Sequence, residues 1–224
     1  VEGTGLSFSL LIVNYSFLIA VNFISIIGVA LGSAWTSGIN LYATVAVLGL
    51  LQKLGWTKLP GGLTILDNWV IVGIALGLFL VEFFADKIPY VDTVWDAIHT
   101  FIRIPAGALL AYAATTEVNP VVQVVAVLLA GGLALSSHGT KATLRAAANL
   151  SPEPVSNWGL SLAEDGIALT GTFLAVYAPI IALILIVPFV LVFIWLLRRI
   201  LRRLRKMVTT VANLFRGKAV LANS

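Results

Sequence analysis

Residues 67–103 read DNWVIVGIALGLFLVEFFADKIPYVDTVWDAIHTFIR, and this stretch decides the fold. From Trp69 to Ala85 the run is apolar except for Glu82, with none of the period-two alternation of a barrel strand. Its length is close to the roughly 20 residues a helix needs to cross the hydrocarbon core. A short turn containing Lys87 and Pro89 follows, and then Asp92, Asp96, His99 and Arg103 recur at offsets of 0, 4, 7 and 11. Those offsets place four polar side chains on one stripe of a helix, with Val94, Ile98, Phe101 and Ile102 elsewhere. Two lipid-embedded helices with ionisable groups turned inward are the simplest solution.

The rest of the chain extends this pattern. Hydrophobic residues make up 59% of the 224 and charged residues only 11%, against about 25% charged in soluble domains. A soluble fold of this length lacks the polar surface to enclose so much apolar material. An all-α, polytopic integral membrane bundle of six to seven spans is therefore expected. Its candidate spans are 6–32, 38–54, 67–86, 93–116, 119–135, 157–176 and 180–197. No basic n-region precedes the apolar run Leu6–Leu31, which reads as a span rather than a signal peptide. Breaks are expected at Gly32-Ser33, Ser37-Gly38 and Ser136-Ser137-His138-Gly139. Turn-forming loops are expected at Leu59-Pro60-Gly61-Gly62 and Ser151-Pro152-Glu153-Pro154, with a further turn at Pro179. Asp67-Asn68-Trp69 and Ser156-Asn157-Trp158 each open a helix in this reading. That weak echo between halves is of the kind inverted-repeat transporters with broken helices show.

Charge is divided along the chain. Residues 1–197, the expected transmembrane domain, carry a net −4, whereas residues 198–224 carry +8 with no acid. Arg198, Arg199, Arg202, Arg203, Arg205 and Lys206 directly follow an apolar run, so the positive-inside rule places this end in the cytoplasm. Ile200, Leu204, Met207, Val208, Val211 and Phe215 share a helical face, which makes the tail an amphipathic helix suited to anionic lipid. A plain stop-transfer anchor explains the same basic flank. No soluble basic domain exists to bind nucleic acid.

The remaining ionisable residues define one candidate substrate or ion site. Glu82 and Asp86 close one span, His138, Lys141 and Arg145 fall at offsets of 0, 3 and 7, and Glu164 and Asp165 lie inside a later apolar run. An unpaired charge at membrane depth costs about 2.5–3.5 kcal/mol on insertion scales. The acids, with Asp92 and Asp96, are thus expected to face Lys87, Arg103, Lys141 and Arg145 in one cluster. His99 and His138 would titrate near neutral pH within it. A purely structural ion-pair network accounts for the same residues. With no cysteine, thiolate chemistry is excluded. No metal-binding spacing or phosphate loop is present, so neither metal nor cofactor is expected. Ser136-Ser137-His138 lacks the geometry of a serine nucleophile, adjacent residues rarely presenting it.

Several separated motifs carry a resemblance. Ser37-Gly38-Ile39-Asn40-Leu41-Tyr42, Glu82-Phe83-Phe84-Ala85-Asp86-Lys87-Ile88-Pro89 and Val91-Asp92-Thr93-Val94-Trp95-Asp96 are among them. His99-Thr100-Phe101-Ile102-Arg103, Pro105-Ala106-Gly107 and Ser136-Ser137-His138-Gly139-Thr140-Lys141 join them, as does the run from Ser151 to Trp158. Over about residues 30–200 the chain resembles the bacterial membrane family known as domain of unknown function 4126. The resemblance implies a bacterial inner-membrane protein with these motifs assembled together, and it implies no substrate. A more distant likeness, to DedA-type lipid transporters, rests on Glu82, Asp86 and Arg103-Ile104-Pro105; the glycine order departs from that pattern. The expected function is a small transporter or lipid-translocating protein. The competing expectations are an accessory subunit of a membrane complex and, third, a lipid-modifying enzyme. Membrane lipid, a second copy or a complex subunit are the expected partners.

Overall fold

The computed structural model describes residues 3–88, 90–149 and 154–222. Seven α-helices and one 3-10 helix follow in order: α1 Gly3–Ile39, α2 Leu41–Lys53, the 3-10 helix Gly61–Asp67, α3 Trp69–Ala85, α4 Val91–Ala114, α5 Pro120–Ala148, α6 Pro154–Tyr177 and α7 Pro179–Ala222. No strand occurs among the described residues. Among the described residues, five helices are long and apolar enough to cross a membrane, and six if the 3-10 helix and α3, bent by 76°, count as one. The chain is an all-α polytopic bundle. It divides into two compact units, residues 1–186 and 187–224.

All three expected breaks are continuous helix. α1 runs through Gly32-Ser33 and Ser37-Gly38, and α5 runs through Ser136 to Gly139. The polar residues there are satisfied within the helix. Ser33 Oγ donates to Val29 O at 2.6 Å, Thr36 Oγ1 to Gly32 O at 3.1 Å and Ser136 Oγ to Leu133 O at 2.8 Å. A hydroxyl that bonds back one turn leaves the helix intact in an apolar medium. The real break is at Asn40, a single extended residue whose side-chain oxygen caps α2 by accepting from Ala43 N at 2.9 Å. Asn68 caps α3 in the same way, accepting from Val70 N at 2.8 Å. Asn157 and Trp158 instead lie inside α6, so the two Asn-Trp pairs occupy different helical positions. Of the expected Ser151–Pro154 loop, residues 151–153 lie outside the described residues.

The direction of each helix follows from its close contacts. α1 runs antiparallel to α6, with Gly32 set against Ala175 and Gly171 against Thr36. A Cβ at these glycines would stand 2.5 and 2.7 Å from the facing side chains, so small residues permit the approach. α2 then returns. Gly49 packs on Leu66 O and Val72, Lys53 lies 5.4 Å from the Trp69 ring, and Trp56 O accepts from Tyr177 OH at 3.3 Å. Its end therefore meets the end of α6, on the face that α1 came from. The 13 residues of α2 rise only about 20 Å at 1.5 Å each, less than the roughly 30 Å of a bilayer core. α1 and α2 thus form an antiparallel hairpin with Asn40 at its tip, and α2 is the shorter arm, lying in the segment expected as a short span at 38–54.

This hairpin divides the interior of unit 1–186. Around its base lie Leu48, Leu59, Leu63, Leu110, Ala111 and Ala114, all buried and apolar. Beyond its tip, toward the end of α3 and the starts of α4 and α6, the interior is charged. In the second unit α7 carries the basic residues 198–206, with the Arg199 guanidinium 5.3 Å from the Trp195 ring. The amphipathic pattern expected there depends on Ile200, Leu204, Met207, Val208, Val211 and Phe215, whose side chains lie outside the described residues.

Candidate functional site

Asp92, Asp96, His99 and Arg103 all face inward from α4, at 0, 2, 3 and 0% exposure, while Phe101 on the opposite side is 82% exposed. The offsets read from the sequence produce the expected stripe. Glu82 and Asp86 from α3, His138, Lys141 and Arg145 from α5, and Glu164 and Asp165 from α6 are buried with it. All eleven residues expected in the site come together in one half of the bundle.

The pairing is dense. Arg103 bridges Glu82 at 2.5 Å and Asp96 at 3.2 Å. Lys141 reaches Asp86 at 2.8 Å, Glu82 at 3.1 Å, Asp96 at 3.7 Å and Glu164 at 3.8 Å. Arg145 pairs with Asp86 at 3.0 Å, with Asp92 at 3.7 Å and closely with Glu164. Two of these cations also serve the hairpin. α1 ends in carbonyls with no helical partner, the negative end of its dipole. Arg103 donates to Gly38 O at 3.4 Å and Lys141 to Ile39 O at 3.2 Å. Two cations from other helices thus meet the last turn of α1 and satisfy carbonyls that its helix leaves open.

The two histidines carry a proton on opposite ring nitrogens. His99 Nδ1 lies 2.8 Å from the Trp95 carbonyl, which only accepts, so Nδ1 carries a proton, and Nε2 shares a hydrogen bond with Tyr42 OH at 3.0 Å. His138 has the other tautomer: Nδ1 accepts from Arg103 at 3.0 Å, and Nε2 donates toward Asp96 O at 3.1 Å and Thr100 Oγ1 at 2.8 Å. A second proton on His138 would break the bond that Nδ1 accepts from Arg103, whereas the Tyr42 hydroxyl can donate to or accept from His99 Nε2, so that bond is kept in either state. Ser136 and Ser137 donate to backbone carbonyls, and His138 is engaged elsewhere, so they form no nucleophile–base pair.

Outside the spans, Lys87 ties the α3–α4 turn to α6. Its ammonium donates to Phe83 O at 2.9 Å and Ser161 Oγ at 3.4 Å, and burial lowers its pKa below the ordinary lysine value. Three further residues belong to the site that charge alone did not reveal. Asn40 Nδ2 donates to Asp165 Oδ1 at 3.0 Å, Tyr42 holds His99, and Asn149 Nδ2 donates to Asp92 Oδ1 at 3.0 Å. Asn40 and Tyr42 sit in the motif quoted for the family resemblance, which was the available signal. Asn149 is an ordinary helix-end asparagine with no such marker.

Among the described residues, Glu82 Oε2, Asp86 Oδ1, Asp96 Oδ2 and Asp165 Oδ2 are buried without a hydrogen-bond partner. No three His, Asp or Glu side chains among them converge in a way that would hold a metal ion. Two apolar grooves flank the bundle, about 510 Å³ beside Gly32, Trp35 and Gly171 and about 420 Å³ beside Val45, Leu63 and Leu109. No charged residue lines either groove.

The family model for Domain of unknown function (DUF4126) matches residues 27–199. The chain belongs to the DUF4126 family. No curated protein matches it, and no solved structure does. The DUF4126 match takes in the hairpin tip and every member of the charged cluster.

Proposed function

We propose that this DUF4126 chain is a proton-coupled membrane transporter whose coupling site is the charged network beyond the hairpin tip. One observation carries the reading: six buried carboxyl groups face four buried cations around an interrupted helix. Net acid in such surroundings is the natural place for an exchangeable proton, and interrupted helices are where transporters bind ions and substrates. Arg103 and Lys141 direct their donors to carboxylates and helix-end carbonyls, which favours a proton over an anionic head group at this site. The bilayer in this reading is the bacterial inner membrane, with the basic end of α7 cytoplasmic and drawn to anionic lipid.

The accessory-subunit reading draws on the same pairing, because closed ion pairs also lock helices together. Purified protein in liposomes on a solid-supported membrane separates the two. A pH jump should evoke a charge-transfer current from the wild type, lost in Glu82→Gln while the protein remains inserted and folded. A wild type that gives no current, with Glu82→Gln merely unfolding at lower temperature, would leave only the structural role.

A further inference from the structure

Asp165 differs from the other acids of the network. Among the described residues, the remaining five each have a cation within 4.0 Å and Asp165 has none. Its residue is 6% exposed, Oδ1 is held by Asn40, and Oδ2 is buried without a partner. A buried carboxylate lacking both a counter-ion and a second hydrogen bond is the costliest kind of charge to keep, and a proton removes that cost. Lys87 from the α3–α4 turn, Lys141 from α5, and Asp86 and Glu82 from α3 are the charged groups that face it.

Its position also matters. Asn40 is the hairpin tip, so Asp165 is the acid bonded directly to the interruption between α1 and α2. On the hairpin side of this pair, the α1–α6 seam is lined by hydroxyls. Thr172 Oγ1 lies 3.2 Å from Thr36 Oγ1, one turn before Asn40, and Ser33 is buried a turn further back. Nearer the base of the hairpin, a cavity of about 290 Å³ is lined by Asn22, Ser25, Lys58, Thr64 and Glu117, with Val29 of α1 and Val176 of α6 in its wall.

We infer that Asp165, held by Asn40, is the carboxyl at which the network takes up its proton, and that the proton arrives along the Thr36–Thr172 seam from the face where the hairpin enters. The inference rests on the transport reading and names the site and side of its proton. Uptake forms an O–H bond at Oδ2 and release breaks it, so no other reactant is needed.

Dicyclohexylcarbodiimide tests the site without any transport assay, because it modifies protonated carboxyl groups in apolar surroundings. Peptide mass mapping should find the adduct at Asp165, fading as pH rises and absent from Asp165→Asn. An adduct at Glu82 or Glu164 instead, or none at any pH, would overturn the assignment while leaving pH-jump currents untouched. Thr172→Val tests the route, with a near-isosteric side chain that lacks the hydroxyl. The pH-jump current should fall at least tenfold with the melting temperature unchanged, and a current of wild-type size would overturn the route. If Asp165→Asn fails to fold, Asp165→Glu takes its place: its adduct must stay on residue 165, in a peptide heavier by one methylene, and its absence there would overturn the assignment. Absence of any wild-type current would count against the transport reading itself, and is thus distinguishable from a misplaced proton.

Discussion

The two halves of the bundle solve one problem by opposite means. At the base of the hairpin, α2, the 3-10 helix and α4 meet through leucines and alanines, with Leu48, Leu63 and Ala111 at most 1% exposed. Beyond the tip, equally buried space is filled by Glu82, Arg103, Lys141 and Arg145. In lipid the apolar half gains little from the hydrophobic effect between helices and relies on close packing. The charged half relies on ion pairs that five of its six acids share, which makes it intolerant of any one-sided change. Packing tolerates substitution by degree, whereas pairing fails at once.

The largest expected effect is therefore at Arg103. Arg103→Ala leaves Glu82 and Asp96 without this partner and Gly38 O without its donor, and should cost about 3–5 kcal/mol. Reduced thermal stability in detergent is the readout. Glu82→Leu combined with Arg103→Leu should recover much of that loss, since replacing a buried pair by apolar residues is often neutral or better. Recovery of stability without recovery of pH-jump current would divide the structural role of the pair from its transport role. At the α1–α6 seam, Gly171→Leu presses a side chain onto Thr36 and should cost about 1–3 kcal/mol by overpacking. A loss as large as that at Arg103 would mean the seam is no more forgiving than the network. On the outer surface, Phe101→Ala should change stability by no more than about 0.5 kcal/mol. A larger drop would show that this flank is covered by protein rather than lipid.

Much of the charged half was legible in the sequence because charge in an apolar run is conspicuous and its helical period is direct. Asp92 to Arg103 and His138 to Arg145 needed only their offsets. The hairpin was not legible in the same way. Whether a chain reverses at residue 40 depends on what meets the exposed carbonyls, and those donors are Arg103 and Lys141, 65 and 102 residues from the carbonyls they meet. Glycine and serine pulled the expected break to residues 32–38, where hydroxyls in fact bond back along α1. The site's neutral members were missed for a related reason: Asn149 and Tyr42 carry no charge that must be explained, and only their partners reveal them.

The meeting of the α1 carbonyls with Arg103 and Lys141 also orders the making of the protein. The hairpin emerges from the ribosome before either of its anchoring side chains has been synthesised. Its tip gains its partners only after α4, α5 and, for Asp165, α6 have been made. The first helices made are accordingly the ones whose contacts must wait for the rest of the chain.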